Sequence, residues 1–199
     1  DFINPITVSN EVEYTTEPTP DDEFDATEDN AESSSDDIPE AVAGEKWTEV
    51  KGVKTPKGSE VGGVYKRSPD FTRKEKKEID KETKEQYPKA RKVSSATVKY
   101  NCHSYACYKT STSNSYWIGE APNVYIEDGS YVLADAPKSG YKAYFGAGEH
   151  SGIVSGVSKV KGEQVVKIKS KWGAAGLYVH ESDYGPYSTS IEYYKKAGK

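Results

Sequence analysis

The sequence contains one set of residues that suits nucleophilic catalysis: a cysteine, a histidine and a polar residue, in that order along the chain. Cys102 follows Asn101 in the segment VKYNCHSYACYK, and Asn101 is a favoured N-cap residue, which predicts that a helix begins at Cys102. Unpaired N–H groups and the positive end of the helix dipole stabilise a thiolate, so we expect the pKa of this thiol to be lowered. Cys102 is therefore the candidate nucleophile.

The candidate general base is His150, which opens the apolar segment HSGIV. Alternation along a strand separates the side chains of His150 and Ser151, and we expect the imidazole to project from the strand end toward the helix of Cys102. The even-numbered positions of QVVKIKSKW share one face, and antiparallel pairing through the turn SKVKG brings Ser170 near His150. A serine hydroxyl can accept a hydrogen bond from an imidazole, so Ser170 is the candidate third residue that orients the base.

Helix signals and turn signals predict the elements that position these residues. Residues 71–87 are rich in helix formers with interleaved charges, and Pro88 follows them, so we predict an exposed helix there. Glycine and proline are dense over residues 47–66, which predicts loops with one or two short strands.

The second half of the chain favours strands. Asp128-Gly129 in NVYIEDGSYVLAD predicts a hairpin turn between two alternating strands. Further strands are predicted at residues 142–145, 150–157, 164–172 and 177–180. Helices followed by a meander of antiparallel strands predict an α+β fold, with one sheet covered by the helices.

Charge divides the chain into two parts. Residues 1–45 hold fifteen Asp or Glu and no Lys or Arg, a net charge of −15, whereas residues 46–199 have a net charge of +10. The first part also has too few large apolar residues to offset the entropy of folding, so we predict a disordered acidic arm over residues 1–45 and one domain over residues 46–199. The arm is either a tether or a lid on the basic domain.

The chain holds no methionine, so we expect a processed product or an excised part of a longer chain.

The candidate residues together resemble a known family. A helix-start Cys102, a strand-borne His150 followed by Gly-Ile-Val, and the polar Ser170 on the next strand resemble the NlpC/P60 superfamily of papain-like cysteine peptidases and its CHAP relatives, over about residues 98–187. The resemblance implies a papain-like antiparallel sheet packed against N-terminal helices. It also implies that Cys102 is the nucleophile, His150 the general base and Ser170 the orienting residue.

The family resemblance implies an activity as well. Members cleave amide bonds in peptidoglycan stem peptides or cross-links without a metal, so we expect a secreted or cell-wall-associated hydrolase of a Gram-positive bacterium. It would form a thioacyl intermediate, need no cofactor, and act as a monomer on peptidoglycan or another cell-wall peptide. We expect no nucleic-acid partner and no membrane span. The sequence NCHS at residues 101–104 departs from the common family pattern Asp-Cys-Ser-Gly, and the usual third residue is His, Asn or Gln.

Further residues are candidates for substrate binding. They are Tyr100, Asn101, His103, Trp117 and Trp172. The Tyr100 hydroxyl is expected to position the substrate, and a backbone N–H at the helix start is expected to donate to the oxyanion. Sixteen tyrosines and three tryptophans provide amphipathic surface that suits sugars and peptides, although half-buried packing would also account for most of them.

Other uses of the same residues stay open. Cys102 and Cys107 could form a disulfide, but five residues apart on a helix they point about 140° away from each other. His103, Cys107, His150 and His180 could hold a metal, although no CxxC or HExxH spacing is present. As alternatives to a hydrolase, the same fold could be a non-catalytic cell-wall or glycan-binding module, or an acyl or amide transferase that uses the same cysteine.

Overall fold

The computed structural model of the protein describes residues 44–120, 122–187 and 190–198. Strands dominate this part of the chain, with one long helix and two short helical segments. The elements in chain order are β1 Lys46–Glu49, β2 Val64–Ser68, α1 Arg73–Gln86, β3 Arg91–Ser94, a π-helix Ser104–Tyr108, β4 Trp117–Ile118, α2 Asn123–Glu127, β5 Tyr131–Leu133, β6 Lys142–Phe145, β7 His150–Val160, β8 Glu163–Lys171, β9 Leu177–Glu181 and β10 Ile191–Lys196.

The strands form two antiparallel sheets. A three-stranded sheet has the order β1-β2-β4, and a seven-stranded sheet has the order β3-β9-β8-β7-β6-β10-β5. The α+β class and the meander of β6 to β9 are confirmed. The expectation of a single sheet is wrong, because β1, β2 and β4 pair only with one another among the described strands. Val64 of β2 and Ile118 of β4 share one apolar cluster with tyrosines of β5, β6 and β10, so the two sheets pack on each other.

Helix α1, Arg73–Gln86, lies within the predicted residues 71–87. The Thr72 hydroxyl accepts the N–H of Glu75, and the Glu75 carboxylate accepts the N–H of Thr72, which together form a capping box. Pro88 follows the C-cap residue Tyr87. Most of the helix is exposed, and Ile79 packs it against the aromatic cluster beneath. No helix in the described residues is long or apolar enough to cross a membrane.

The segment around Asp128 differs from the predicted hairpin. Residues Asn123–Glu127 form α2 instead of a strand, and Gly129 follows the helix with a φ of +82°. An Asp-Gly pair suits a helix end as well as a hairpin turn, because glycine adopts positive φ at low cost. The Asp128 carboxylate accepts hydrogen bonds from the Thr55 hydroxyl (2.5 Å) and the Ser130 N–H (2.8 Å), which secures this turn.

Strands β7 and β8 form a long hairpin closed by the predicted turn. Lys161 and Gly162 at its tip both have positive φ, 53° and 83°, a geometry that matches the twist of antiparallel strands. Strand β6 pairs with β7 only up to Ile153, and β9 pairs with β8 only from Lys167 onward. The outer part of the hairpin therefore extends beyond its neighbours in the sheet.

Two strands of the seven-stranded sheet were not predicted. They are β3, which pairs with β9, and β10, which lies between β6 and β5.

The predicted acidic arm lies outside the described residues except for Gly44 and Glu45. The Glu45 carboxylate forms an ion pair with Arg67 (2.6 Å) and accepts a hydrogen bond from the Trp47 indole, so this residue contacts the folded part.

The two faces of the seven-stranded sheet bury different side chains. One face, which packs against the π-helix, carries Ile153, Leu177 and Val179 beside two tyrosines. The opposite face carries Ala143, Phe145, Val154, Val166 and Ile168. The helix that includes Cys102 therefore packs on the sheet face that carries Ile153, Leu177 and Val179.

Gly152 provides a test of the contact between β7 and β8. A Cβ at Gly152 would lie 2.6 Å from Ile168 Cγ2 and 2.9 Å from Ser170 Cβ, which is closer than real side chains approach. We expect Gly152→Ala to lower the free energy of unfolding by about 1–3 kcal/mol in urea denaturation. Gly156→Ala is the matched control in the same strand, because its Cβ would meet nothing within 4 Å. Equal losses in the two variants would contradict the packing.

Candidate active site

Cys102 lies at the first turn of a short helix, as predicted. Asn101 Oδ1 accepts the N–H of Ser104 (3.3 Å), which is the expected N-cap hydrogen bond. The same side chain exchanges two hydrogen bonds with the backbone of Ile118: Nδ2 donates to the carbonyl (2.7 Å) and Oδ1 accepts the N–H (3.1 Å). Asn101 therefore starts the helix and holds that start against β4.

The helix widens immediately after its first turn. We use the name cysteine helix for the turn at Cys102 and His103 together with the π-helix Ser104–Tyr108. The N–H of Lys109 donates to the carbonyl of Ser104, five residues back instead of four. Asn114 Nδ2 supports the widened turn by donating to Ser104 Oγ and to the Lys109 carbonyl, each at 2.9 Å. Turns of this kind are rare and frequently lie at functional sites.

The Cys102 thiol is buried among hydrogen-bond donors. Burial raises its pKa to about 11, although the backbone N–H groups of Ser151 and His103 and the ammonium of Lys171 act in the opposite direction. The expectation of a lowered pKa is therefore wrong in this structure. Removing a thiolate from water costs more free energy than the nearby N–H donors and the ammonium regain by stabilising it. Cys102 is therefore a thiol at neutral pH.

The imidazole of His150 lies on the sheet face opposite the cysteine helix. Ser151 Oγ lies 2.8 Å from His103 Nδ1, so Ser151 points toward the helix, and alternation along the strand turns His150 away from it. His150 stacks on Tyr187 (ring centroids 3.7 Å apart, 6° between planes) and meets the edge of Phe145. The predicted direction of His150 is wrong, because its strand pairs with β6 so that His150 lies opposite Phe145.

His150 is wholly buried, and within the described part of the chain neither ring nitrogen has a hydrogen-bond partner. Burial, with help from the neighbouring His180 and His103, lowers its pKa well below the ordinary value, so the ring is neutral. A buried polar group without a partner costs about 1–3 kcal/mol. Such groups are uncommon in native proteins and include catalytic side chains. This cost favours a functional role for His150 over a stabilising one.

Ser170 shares a sheet face with His150, as predicted, but it hydrogen-bonds to another histidine. Its hydroxyl lies 3.1 Å from His180 Nε2 and accepts the indole N–H of Trp172 (3.2 Å). His180 Nδ1 in turn lies 2.8 Å from the carbonyl of Glu181. The predicted orienting contact from Ser170 to His150 is therefore not made, because β9 brings His180 closer to the hydroxyl.

The residues considered for substrate binding are buried. They are Tyr100, Asn101, His103, Trp117 and Trp172. Trp172 stacks on Tyr178, with ring centroids 4.4 Å apart, and the Arg67 guanidinium lies 4.4 Å from the centroid of the Trp117 ring. Neither tryptophan lines an open groove among the described residues, since both rings fill the core. Asn101 and His103 instead hold the cysteine helix in place.

A buried lysine was missed from the sequence. Lys171 is wholly buried, and its Nζ donates to the carbonyls of Thr97 and Gly173, each at 2.7 Å. The ammonium also lies 4.8 Å from the centroid of the Tyr100 ring. Among the described residues, no carboxylate comes within the 4 Å of an ion pair with Lys171. Lysines at every second position, 167, 169 and 171, are the pattern expected on the solvent-exposed face of a strand. The sequence pattern therefore gives no sign that one of the three is buried.

The second cysteine lies further along the cysteine helix. Cys102 and Cys107 are both free thiols, so the disulfide considered above is not formed. Burial raises the pKa of Cys107 to about 12, and Lys142 acts in the opposite direction. Cys107 lines a cavity of about 10 Å³ with Lys142 and Ser151, which is room for about one water molecule. No cluster of three or more possible metal ligands occurs among the described side chains.

Known proteins provide no family for this chain. Comparisons with protein families, with curated proteins and with solved structures found no match. A function must therefore come from the chemistry of the residues themselves.

The three buried histidines predict how acid affects the fold. Burial lowers the pKa of His103 and His180 to about 4, and that of His150 well below 6.5. Unfolded histidines take up protons near pH 6.5, whereas the folded ones stay neutral. Each should therefore lower the free energy of unfolding by about 1.4 kcal/mol per pH unit as the pH falls from 6.5 toward 4. Urea denaturation at pH 7 and pH 5 measures this loss.

The variant His150→Phe isolates one of the three contributions. Phenylalanine keeps a ring against Tyr187 and leaves no nitrogen unpaired. We expect the variant to lose about 2 kcal/mol less stability than the natural protein between pH 7 and pH 5. An unchanged pH dependence would contradict a buried neutral imidazole at position 150.

Proposed function

We propose that this protein is a cysteine hydrolase of the papain-like NlpC/P60 type, which cleaves an amide bond through a thioacyl intermediate on Cys102. One observation carries the proposal. The Cys102 sulfur, at the first turn of a helix, accepts the N–H of Ser151, and Ser151 directly follows the buried, unpartnered His150. A thiol and an imidazole in adjacent elements supply the nucleophile and base that amide cleavage needs.

The proposed reaction starts from a neutral pair. A raised thiol pKa and a lowered imidazole pKa mean that Cys102 keeps its proton and His150 has none at neutral pH. As the sulfur attacks the substrate carbonyl carbon, its proton passes to an imidazole nitrogen and the negative charge moves to the carbonyl oxygen. His150 then gives that proton to the leaving amine, and water cleaves the thioester to release the acid. This sequence requires the backbone at the start of β7 to rearrange, because the imidazole and the sulfur lie on opposite faces of the sheet.

Backbone N–H groups support the same chemistry. Those of Ser151 and His103 donate to the Cys102 sulfur, the atom that would bond to the carbonyl carbon in a tetrahedral intermediate. N–H donors that are fixed by a strand and a helix start need no reorganisation when an oxyanion develops. In this proposal the His103–Ser151 hydrogen bond positions both donors, and the Ser170–His180 pair supports the sheet beneath the base.

The proposed substrate is a peptide of the bacterial cell wall, and the proposed location is outside the cell or at the wall. The order of nucleophile, base and polar residue along the chain supports this class, as does the antiparallel sheet that carries His150 and Ser170. The net charge of +10 over residues 46–199 suits a wall polymer that carries phosphates and carboxylates.

Two other functions compete with hydrolysis. A wall-binding or glycan-binding module has less support, because Trp117 and Trp172, the rings that would stack on sugars, are buried. An amide transferase would use the same thioacyl intermediate and differ only in that an amine, instead of water, captures the acyl group.

The decisive experiment compares the two cysteines of one helix. We expect Cys102→Ala to abolish release of peptide fragments from purified peptidoglycan, read by mass spectrometry, and Cys107→Ala to retain it. His150→Ala should lower the rate by about 100-fold or more, because general-base catalysis contributes at least that factor. The measurement is repeated with a chelator and with an added amine acceptor.

Each result has one consequence. Unchanged activity in Cys102→Ala, or loss of activity on chelation alone, would overturn the proposal. Binding to sedimented walls without any cleavage, equal in natural protein and Cys102→Ala, would support the binding module. An amine adduct in place of the hydrolysis product would identify a transferase.

A further inference from the structure

We propose that Arg67 is a binding site for a carboxylate group, and that the side chain of Glu45 occupies this site when no ligand is bound. The site lies on the three-stranded sheet, whose strands carry neither Cys102 nor His150. The inference goes beyond the proposed hydrolysis and does not depend on it.

The register of the smaller sheet places three aromatic side chains beside Arg67. Trp47 of β1 lies directly opposite Arg67 of β2, and Trp117 of β4 lies directly opposite Tyr65 of β2. Tyr65 and Arg67 are two residues apart in β2, so alternation puts all four side chains on one face of the sheet. The opposite face carries Val64, which lies in a buried apolar cluster. Pairing of three strands therefore builds the surroundings of Arg67.

Aromatic rings hold the guanidinium of Arg67 in place. Its central carbon lies 4.0 Å from the centroid of the Trp47 ring and 4.4 Å from that of the Trp117 ring. Both distances are within the range of cation–π attraction. The Arg67 side chain is 12% exposed, which leaves it little freedom to move. A guanidinium that is fixed before a ligand arrives loses little conformational entropy when the ligand binds.

Glu45 uses only part of the hydrogen-bonding capacity of Arg67. Its Oε2 atom accepts from a terminal nitrogen of the guanidinium (2.6 Å), and the same oxygen accepts the indole N–H of Trp47 (2.8 Å). The Nε–H of Arg67 is buried and has no hydrogen-bond partner among the described residues. A carboxylate that is not tethered to β1 can accept from Nε and a terminal nitrogen together, in the paired geometry that arginine forms with carboxylates. The buried Nε–H therefore points to a ligand other than Glu45.

The segment that supplies Glu45 is weakly attached. Every residue of β1 is exposed, and within the described strands β1 pairs with β2 alone. None of the described apolar clusters includes a residue of β1. Trp47 is 45% exposed, whereas Trp117 on β4 is 3% exposed. Glu45 and Trp47 can therefore move away while Arg67 and Trp117 keep their positions.

The chemistry of the site defines the class of ligand. Arginine stays protonated at physiological pH, so the site attracts an anion. A carboxylate occupies it in the structure, so the space beside the guanidinium accepts this group. The net charge of +10 over residues 46–199 attracts anions from a distance. The ligand is therefore a carboxylate, carried either by an acidic side chain of a peptide or by a chain terminus.

The test is an NMR titration with sodium acetate at constant ionic strength, which follows the Nε–H signal of Arg67. We expect the acetate midpoint of Glu45→Ala to be about tenfold lower than that of the natural protein, because Glu45 no longer competes. Glu49→Ala is the matched control, since Glu49 is at the other end of β1 and forms an exposed ion pair with Lys51. Equal midpoints in Glu45→Ala and Glu49→Ala, or an Arg67 signal that acetate does not change, would overturn the inference.

Three further probes test the class and the source of the carboxylate in Glu45→Ala. Acetamide has the shape of acetate without its charge, and equal binding of the two would overturn the inference. N-acetylglycine presents a chain-terminal carboxylate, and the α-amide of N-acetylglutamate presents a side-chain carboxylate. Binding of either supports the inference, and the tighter of the two identifies the source. Binding of neither would overturn it.

A second measurement covers the case in which Glu45→Ala fails to fold. In the natural protein, acetate that enters the site displaces Glu45, which is the acceptor of the Trp47 indole N–H. We expect the indole N–H signal of Trp47 and the Nε–H signal of Arg67 to change with the same acetate midpoint. An indole signal that stays constant throughout the titration would overturn the inference.

Discussion

Exclusion of water from the seven-stranded sheet is the constraint on which the candidate site depends. Burial shifts the pKa of three groups there so that each favours its neutral form: upward for the Cys102 thiol, downward for His150 and Lys171. A site of this kind holds little net charge at rest. In the proposed reaction, charge develops only when a proton moves, and the fixed N–H groups then stabilise it more strongly than water would.

The side chain of Asn101 connects this dry region to the rest of the fold. Its amide caps the cysteine helix and pairs with the backbone of Ile118, which belongs to the smaller sheet. Strand β4 has only two residues, so these hydrogen bonds contribute much of its attachment. The position of the Cys102 sulfur is consequently set by contacts with both sheets.

Local signals were sufficient for much of the fold and for the start of the site. The capping residues of α1, the alternation in β6 to β9 and the N-cap at Asn101 are properties of short segments, and each appears where it was expected. The direction of His150 and the partner of Ser170 depend on which sheet face meets the helix, and tertiary packing decides that. The burial of Lys171 could not be predicted, because lysines two residues apart on a strand usually belong to its solvent-exposed face.

The two ends of the long hairpin of β7 and β8 differ in local stability. Residues 158–165 pair only within the hairpin, and most of their side chains are exposed, whereas the inner halves of both strands lie at the centre of the sheet. Amide hydrogens at the tip can therefore exchange with solvent through local opening, while those beside His150 and Lys171 exchange only when a larger unit unfolds. One continuous pair of strands thus joins an exposed tip to a protected inner half, and the candidate site lies at the protected end.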